Sequence, residues 1–501
     1  MRKWKWIHKW FSLILGVFVI LWAISGIVLN HRQLLSSVDV SRNWLPEAYQ
    51  YNNWNNAAIR GGIQLGGDSL LIYGNVGIWL TDTSFSSYQS FNQGIKIGSD
   101  SRKINKLFKS RQGNIFAASQ SGLYLFSNWE QKWQRIPLDL HDNRIVDITA
   151  RGDKMVFLSR SEIIIADDDR KAVEFDLIEL PRAIDDDGRV SLFRTLWVLH
   201  SGEIYGTAGV LLVDLLAVLL VFLVVSGFIY FFYPKWIKSR RNKAKSVKAW
   251  VNQLRFNQKW HNKIGIWIVG FLIFNTLTGI FLRPPLLIAI ADSKVGKIPF
   301  STLSDPNPWH DKLRLIHWNE SGGYWLIGTN EGLYKARADM SGPLIPFKTQ
   351  PPLSVMGINV FEQLQTEMFV VGSFNGLFLW QPGSDYVRDM ITGEVPEVKT
   401  SAGSPIGTHM ISGMIRLPGR NLVFDYNRGL INKHIAMPPA ISDAPMPLWN
   451  LALEVHTGRF FQGVMGDFYI LIIPLFGLAL LLILSSGLIR WWKKYQHRKP
   501  I

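Results

Sequence analysis

The sequence predicts an integral membrane protein in which four transmembrane helices form a bundle and two long loops form a β-structured domain outside the membrane. Three observations predict this class. Four apolar runs are long enough to span a bilayer, basic residues cluster beside one end of each run, and the two long loops repeat a short β pattern. The hydrophobic share of 48% and the 21 Trp in 501 residues fit lipid-facing helices combined with a folded domain.

The apolar runs lie at 10–29, 208–233, 264–282 and 467–489. Each reaches the roughly 18 apolar residues that a spanning helix needs. The first run resembles a secretory signal in position. No small-residue cleavage site follows it, and Asn30-His31-Arg32 closes it, so we expect a retained helix.

Lysine and arginine indicate which side of the membrane each loop occupies. Residues 1–9, 234–263 and 490–499 contain four, ten and five of these cations and no acidic residue. Because positively charged loops stay in the cytoplasm, both termini and the middle loop are predicted to be cytoplasmic. The two long loops then lie on the opposite side of the membrane from the cytoplasm. The net charge of +16 reflects this topology, so no nucleic-acid binding is expected.

These features divide the chain into eight segments. In order they are transmembrane helix 1 (1–31), a first outer loop (32–199), transmembrane helix 2 (200–234), a basic cytoplasmic loop (235–263), transmembrane helix 3 (264–283), a second outer loop (284–455), transmembrane helix 4 (456–492) and a basic cytoplasmic tail (493–501).

The membrane part is an internal duplication. Helices 1 and 3 share a His at the inner end and a Ser/Thr-Gly-Ile motif at the outer end, Ser25-Gly26-Ile27 and Thr278-Gly279-Ile280, with one offset of 253 residues. Helices 2 and 4 share a preceding His and a Ser-Gly motif, Ser226-Gly227 and Ser486-Gly487. A unit of helix, outer loop and helix therefore occurs twice in the same direction. Such copies are related by an axis along the membrane normal.

The two long loops contain a second repeat, in which a short apolar strand precedes a polar turn, a small residue and a second apolar strand. Its copies are Leu71–Trp79, Ile115–Tyr124, Met155–Ile165, Trp325–Tyr334, Phe369–Phe378 and Leu422–Ile431. The spacing of about 40–50 residues is typical of a four-stranded propeller blade. Three blades per loop leave sheet edges open, whereas six close a ring. We therefore predict one six-bladed β-propeller built from both loops, with two separate β-domains or a sandwich as alternatives.

Five histidines near the helix ends are candidate ligands. His8 and His261 occupy equivalent inner positions, and His200 and His456 occupy equivalent outer positions. Imidazole binds haem iron, copper or zinc, and two histidines from facing helices can hold a haem between them. His31 lies at the outer end of helix 1, where it could replace His200 or His456 or cap the helix. The alternative for each is an interfacial histidine bonded to lipid or water.

Four charged residues are candidate partners of this site. Asp214 and Asp467 follow the outer histidines and lie in or beside apolar runs, where an acid is costly and is a functional candidate. Each could orient an imidazole, relay a proton or contact a quinol, or it could stabilise helix packing. Arg32 and Arg283 at outer helix ends could meet haem propionates or lipid phosphates.

The His and Ser-Gly motifs resemble the PepSY-associated transmembrane helix family. The matching segments are Trp6-Ile7-His8-Lys9-Trp10, Ser25-Gly26-Ile27, Leu199-His200-Ser201-Gly202, Ser226-Gly227, Lys259-Trp260-His261, His456-Thr457-Gly458 and Ser486-Gly487. The resemblance implies an inner-membrane reductase that binds b-type haem, here two, and reduces ferric siderophores or similar substrates. It also implies that His8, His261, His200 and His456 are axial ligands. The propeller-like loops depart from the small α+β PepSY domains that this family usually carries outside.

The leading functional hypothesis is a transmembrane electron conduit. A quinol or a reductase such as a flavoprotein would donate electrons on the cytoplasmic side, and a periplasmic protein or metal chelate would accept them. The alternatives are a non-enzymatic receptor or assembly factor anchored by the helices, and a metal or solute transporter. The chain has no cysteine, so any haem is bound non-covalently. Walker, nucleophile-elbow and zinc-protease motifs are also absent from the sequence.

Overall fold

The computed structural model describes residues 2–496 apart from His141, 169–174, Val355, 397–406 and Asn432. The predicted tail at 493–501 therefore lies partly outside the described residues. The chain divides into two compact units. The helical unit contains residues 1–35, 188–304 and 449–501, and the β unit contains residues 36–187 and 305–448.

Most of the helical unit is α-helix. Its helices are α1 (Arg2–Asn30), α2 (Leu192–Ser201), α3 (Gly206–Asn242), α4 (Lys248–Phe281), α5 (Leu286–Ile290), α7 (Leu448–His456, which begins at the boundary of the unit), α8 (Gln462–Met465) and α9 (Ile472–Gln496), while α6 (Pro439–Ser442) belongs to the β unit. Four helical segments are long and apolar enough to cross a membrane: Arg2–Asn30, Glu203–Asn242, Lys248–Phe281 and Arg459–Lys494.

The four long helices form a bundle in which α1 and α4 each pack against both α3 and α9. The close approach of α1 to α3 depends on a small residue, because a Cβ at Gly16 of α1 would lie 2.5 Å from the Phe228 ring of α3. The core of the bundle is aliphatic and includes Leu216, Leu272 and Leu484.

Helices α3 and α4 are longer than the apolar runs predict. Helix α3 continues to Asn242 and α4 begins at Lys248, so most of the predicted basic loop at 235–263 is helical. Hydropathy detects only the apolar part of a helix, whereas Lys, Arg and Gln also have high helix propensity. The short helices α2 and α7 precede the spanning segments and belong to the helical unit, although the predicted boundaries at 199 and 455 assign them mostly to the loops.

The β unit is built from antiparallel strands. The first loop contributes β1 (Asp39–Val40), β2 (Gly61–Gly66), β3 (Ser69–Gly74), β4 (Gly77–Asp82), β5 (Tyr88–Ser90), β6 (Ile104–Lys109), β7 (Ile115–Ser119), β8 (Gly122–Ser127), β9 (Lys132–Ile136), β10 (Ile145–Arg151), β11 (Lys154–Ser159), β12 (Ile163–Asp167) and β13 (Asp176–Ile178). Strands β14 (Val190–Ser191) and β15 (Lys294–Val295) pair with each other in the helical unit.

The second loop contributes β16 (Leu313–Asn319), β17 (Tyr324–Thr329), β18 (Leu333–Ala336), β19 (Ile345–Pro346), β20 (Ile358–Gln365), β21 (Met368–Ser373), β22 (Gly376–Trp380), β23 (Val387–Asp389), β24 (Ile411–Leu417), β25 (Arg420–Asp425), β26 (Gly429–Leu430) and β27 (Met446–Pro447). Within the described residues these strands form six sheets of three or four strands, three from each loop. The sheets are β2–β5, β6–β9, β10–β13, β16–β19, β20–β23 and β24–β26.

All six β repeats of the sequence are hairpins in these sheets, central in the five four-stranded sheets and at one edge of the three-stranded sheet. The first repeat is the β3–β4 hairpin, and the last is the β25–β26 hairpin. The first strand of each sheet pairs with one arm of its hairpin in every case. The prediction of six antiparallel β units, three per loop, is therefore confirmed at the level of the sheets.

Apolar clusters join each sheet to two others. Successive clusters join the first sheet to the second, the second to the third, the third to the fourth, the fourth to the fifth and the fifth to the sixth. A further cluster joins the sixth sheet to the first, with Ile415 and Leu422 packed against Leu70 and Ile72. Each sheet therefore buries apolar side chains against two neighbours.

The first strands of the sheets also exchange hydrogen bonds with one another. The bonds are Arg60 Nη1 to Asn105 Oδ1 (3.3 Å), Asn105 Nδ2 to Ile145 O (2.8 Å), Ile316 N to Asp147 Oδ2 (3.0 Å), Asn359 Nδ2 to Ile411 O (2.9 Å) and Met414 N to Arg60 O (3.1 Å). Polar side chains on these strands thus satisfy backbone groups of the adjacent sheet.

Candidate functional site: two pairs of histidines

The structure brings four of the five candidate histidines together as two facing pairs in the helical unit. The inner pair is His8 of α1 and His261 of α4, whose ring centroids are 6.3 Å apart at an interplanar angle of 85°. The outer pair is His200 of α2 and His456 of α7, with centroids 6.1 Å apart at 52°. Each pair therefore joins equivalent residues of the two sequence repeats.

Each imidazole of the inner pair is hydrogen-bonded to the serine, and packs against the glycine, of a Ser-Gly motif in another helix. His8 Nδ1 lies 3.1 Å from Ser486 Oγ and 3.1 Å from the Ile483 carbonyl oxygen of α9. His261 Nδ1 lies 2.7 Å from Ser226 Oγ of α3. The rings cover the adjacent glycines, with Cε1 of His8 only 3.3 Å from the position of a Cβ on Gly487.

The outer pair uses the same arrangement with α1 and α4. His456 Nδ1 lies 3.0 Å from Ser25 Oγ and 3.1 Å from the Trp22 carbonyl oxygen. His200 Nδ1 lies 3.0 Å from the Asn275 carbonyl oxygen and 3.4 Å from Thr278 Oγ1. The four Ser/Thr-Gly motifs of the sequence are thus matched one to one with the four histidines.

Short helices and glycine turns place the outer imidazoles. Helix α2 ends at Ser201 and is followed by Gly202, whose φ of 83° is left-handed and suits a glycine. Helix α7 ends at His456, and Gly458 with φ 77° follows. Both outer histidines therefore lie in the last turn of a short helix that precedes a spanning segment.

Side chains of α1 and α4 also bind the backbone of the short helices. Asn275 Nδ2 donates to the His200 carbonyl oxygen at 2.8 Å, and Trp22 Nε1 donates to the Val455 carbonyl oxygen at 3.3 Å. Asn275 and Trp22 occupy equivalent positions in the sequence repeat. His200 is therefore held by both its ring and its own backbone, and His456 by its ring and the backbone of the preceding residue.

The hydrogen bonds fix which ring nitrogen carries the proton. A carbonyl oxygen only accepts, so the Nδ1 atoms of His8, His200 and His456 donate to their carbonyl partners. The Ser226 hydroxyl donates to the Leu223 carbonyl oxygen at 2.9 Å, so it accepts from His261 Nδ1. The neutral tautomer with Nδ1–H leaves a lone pair on Nε2, the nitrogen that would bind a metal.

The spacing of each pair fits two imidazoles on opposite sides of one metal ion. A metal–nitrogen bond of about 2 Å and about 1.1 Å from ring nitrogen to ring centroid place the two centroids about 6.2 Å apart. The observed 6.3 Å and 6.1 Å match this spacing. Among the described residues, no group of three or more His, Cys, Asp or Glu is arranged to hold a metal ion. A two-histidine site suits haem iron, because the porphyrin supplies the remaining four ligands.

His31 is bound to Asp214 instead of joining the outer pair. His31 Nε2 lies 2.6 Å from Asp214 Oδ2, and Asn30 Nδ2 donates to Asp214 Oδ1 at 2.9 Å. Asn30 also reaches the Ser201 carbonyl oxygen at 3.4 Å, next to His200 in the chain. The buried Asp214 carboxylate therefore ties the end of α1 to α3, and the outer pair is complete without His31.

The remaining candidates lie around the outer helix ends. Asp467 is an exposed residue of a 3-10 helix, and it makes no hydrogen bond to the paired imidazoles within the described part of the chain. The Arg32 guanidinium lies 3.9 Å from the Trp449 ring centroid. Arg283 lies close enough to Arg459 and Glu454 to interact with both electrostatically.

Sequence reasoning missed two features of this site. It identified the Ser/Thr-Gly motifs as repeats but not as the partners of the histidines. The four motifs of the spanning helices match the four repeated histidines in number, which was a usable signal. It also missed Arg490 of α9, which lies within electrostatic range of both inner imidazoles. Arg490 follows Ser486 by one helical turn, so it projects from the same face of α9.

The family model of the PepSY-associated TM region matches residues 4–494. The chain belongs to the PepSY-associated TM family. The predicted family is therefore confirmed, and the match extends beyond the four helices to both long loops. No curated protein sequence matches this chain.

Solved structures with similar coordinates come from Bacteroides thetaiotaomicron. Two are extracellular domains of proteins described as hybrid two-component systems, with 9% and 13% identity and TM-scores of 0.36 and 0.33. The matches cover 74% and 76% of this chain but 32% and 40% of those chains. This chain thus spans less than half the length of the solved chains that it matches.

Proposed function

We propose that this membrane protein transfers electrons across the bilayer through two b-type haems, one at each histidine pair, to an acceptor outside the cell membrane. The observation that carries the proposal is the geometry of the pairs. Two imidazoles from the two sequence repeats face each other at the spacing of metal ligation, with every Nδ1 engaged by the protein. Haem iron in such a site takes up and gives up one electron at a time.

The protein's own residues define where each haem would be held. His8 with His261, and His200 with His456, would supply the axial nitrogens. Ser486, Ser226, Ser25 and Thr278 hold the rings in the required tautomer, and these four residues are 0–5% exposed. Such hydrogen bonds to ligating imidazoles fix ring orientation and raise ligand basicity.

The two pairs lie at different depths along α1. His8 and Ser25, which holds His456, are 17 residues apart in one helix, which corresponds to about 25 Å at 1.5 Å per residue. A bilayer hydrocarbon core is about 30 Å thick. One pair near each side of the membrane is the arrangement that an electron conduit needs.

We also propose that the β unit is a six-bladed propeller in the periplasm of a bacterial inner membrane, with both chain termini in the cytoplasm. The apolar cluster between the last and first sheets supports ring closure, as does the Met414–Arg60 backbone hydrogen bond. The basic residues at 234–263 and beside both termini support the topology. The propeller would dock a protein or a metal chelate, such as a ferric siderophore, as the acceptor.

Proteoliposomes test electron transfer directly. A reductant enclosed with the protein should reduce an external, membrane-impermeant ferric chelate, one Fe³⁺ to Fe²⁺ for each electron that crosses. We expect the variant with His8, His200, His261 and His456 all changed to Ala to lose this reduction. Equal rates for the variant and the unaltered protein would overturn the proposal.

The donor is proposed to be a quinol or a flavoprotein on the cytoplasmic side. Adding each donor outside vesicles of inverted orientation identifies which one supplies the electrons. If neither the unaltered protein nor the quadruple variant binds haem, while both bind the same periplasmic partner, the protein acts as an anchored binding module without an electron-transfer role.

A further inference from the structure

The centre of the β unit contains a small polar cavity that the electron-transfer proposal does not use. Residues on the first strands of all six sheets line it, together with Arg60 just before β2 and Tyr73 of β3. Its volume is about 50 Å³, which is enough for a few water molecules or a small ion. An organic cofactor would not fit.

The lining of the cavity carries an excess of positive charge. Three cations, Arg60, Lys106 and Arg314, face two carboxylates, Asp147 and Glu362. Both oxygens of Asp147 already accept hydrogen bonds from the protein, from the Ile148 and Ile316 backbone N–H groups at 2.9 Å and 3.0 Å. Arg314 is also engaged by the protein, because its guanidinium donates to the Leu313 and Asp311 carbonyl oxygens at 2.7 Å and 2.9 Å.

Lys106 is the cation that the two carboxylates stabilise. Burial lowers the pKa of Lys106, but attraction to Asp147, Tyr73 and Glu362 outweighs burial and raises the pKa above its usual range. Lys106 is therefore protonated at neutral pH. For Asp147 the effect of burial has the opposite sign and raises the pKa, whereas attraction to Lys106 and the two N–H donors lower it.

Arg60 is the cation that lacks an anionic partner. Its Nη1 donates to the neutral Asn105 amide oxygen at 3.3 Å, and its Nε is buried with no hydrogen-bond partner within the described residues. Burial lowers the pKa of the Arg60 guanidinium. A buried donor without an acceptor costs free energy, even though the rest of the Arg60 side chain is only partly buried.

We propose that this cavity binds one small monovalent anion of about the size of chloride, held by the Arg60 guanidinium. The anion would balance the charge of Arg60 and accept a hydrogen bond from the unpartnered Arg60 Nε. Arg60 also bonds through its backbone to Tyr73 and Met414, which belong to the first and last sheets. Anion binding at Arg60 would therefore stabilise the junction between the last sheet and the first.

Thermal unfolding of the full-length protein in detergent tests this site. The midpoint of the β-unit transition is followed by tryptophan fluorescence while chloride replaces gluconate at constant ionic strength and pH. We expect a saturable rise of about 3 °C with chloride and with bromide, because a ligand that binds only the folded state raises its stability. Sulfate, which is larger and divalent, should give no saturable rise.

Variants locate the site. Arg60→Gln should abolish the halide dependence, and Arg60→Lys should shift it to higher chloride concentration. The control Arg182→Gln removes a guanidinium that is 56% exposed on the same unit and should leave the dependence unchanged. If Arg60→Gln does not fold, the unaltered protein still decides the question. A midpoint that is the same in chloride and gluconate would show that the cavity holds water alone and overturn the proposal.

Discussion

The inner and outer histidine pairs share one construction but differ in their surroundings. Both place an imidazole on a Ser/Thr-Gly motif, and both join equivalent residues of the two repeats. The inner pair lies near the cation of Arg490, whose equivalent in the other copy is Tyr230. The outer pair is carried by short helices, and its His200 packs most tightly of the four rings, since a Cβ on Gly279 would lie 2.7 Å from His200 Cε1.

This difference indicates which features the duplication requires and which are free to change. The hydrogen bond to Nδ1 and the glycine beside the ring occur at all four positions. The nearby charge occurs at one position only. We infer that the shared features serve ligation, and that the unshared charge makes the two sites unequal in reduction potential.

Replacing the histidines should give the largest effects and should separate the pairs. His200→Ala is expected to halve the haem content by emptying the outer site, and His8→Ala should halve it by emptying the inner site, because a single imidazole remains in each case. Pyridine haemochrome absorbance of the purified protein measures haem content. His409→Ala, on the β unit, is the control and should retain the full amount. Loss of both haems in either single variant would contradict two independent sites.

Adding a methyl group beside the rings should affect His200 of the outer pair more than His261 of the inner pair. A Cβ at Gly279 would contact His200 Cε1 at 2.7 Å, whereas a Cβ at Gly227 would lie 3.9 Å from His261 Cε1. Overpacking of this kind costs about 1–3 kcal/mol. We therefore expect Gly279→Ala to weaken haem retention about tenfold or more, with Gly227→Ala close to the unaltered protein. Haem transfer to apomyoglobin gives the rates, and the reverse order would refute the assigned contacts.

Removing a hydroxyl should weaken a site without emptying it. Ser226 Oγ makes the shortest hydrogen bond to any of the four rings, at 2.7 Å from His261 Nδ1, whereas Ser25 Oγ lies 3.0 Å from His456 Nδ1. Loss of a hydrogen bond to a metal-binding imidazole lowers metal affinity by about 10–100-fold. We expect Ser226→Ala to lose more haem affinity than Ser25→Ala, and Ser226→Thr to recover it. Titration of the apoprotein with haemin measures the affinities.

Removing the unshared charge should produce the smallest effect. A nearby cation stabilises the reduced haem, so Arg490→Gln is expected to lower the midpoint potential of the inner site by tens of millivolts and to leave the outer site unchanged. Potentiometric titration followed by absorbance resolves the two potentials. Lys493→Gln, on an exposed position of the same helix, is the matched control. A shift of the outer potential alone would show that the sites are wrongly assigned.

The parts of the structure that could be predicted are those with a period in the sequence. Long apolar runs, the six hairpin repeats and the paired histidines each recur along the chain, so one sequence was enough to find them. The polar ends of α3 and α4 lack a hydropathy signal, and α2 and α7 are too short for a clear one. Pairing of His456 with Ser25 spans 431 residues, and the central cavity gathers side chains from six sheets, so neither follows from local pattern.

Spectroscopy of the purified full-length protein tests the central claim most directly. We expect the oxidised protein to show two low-spin ferric haem signals by electron paramagnetic resonance, since each iron would have imidazole nitrogens on both sides. The His8→Ala variant should lose one signal and the His456→Ala variant the other. A protein that stays free of haem after haemin addition, or that shows only high-spin iron with one axial ligand, would contradict paired ligation at these four histidines.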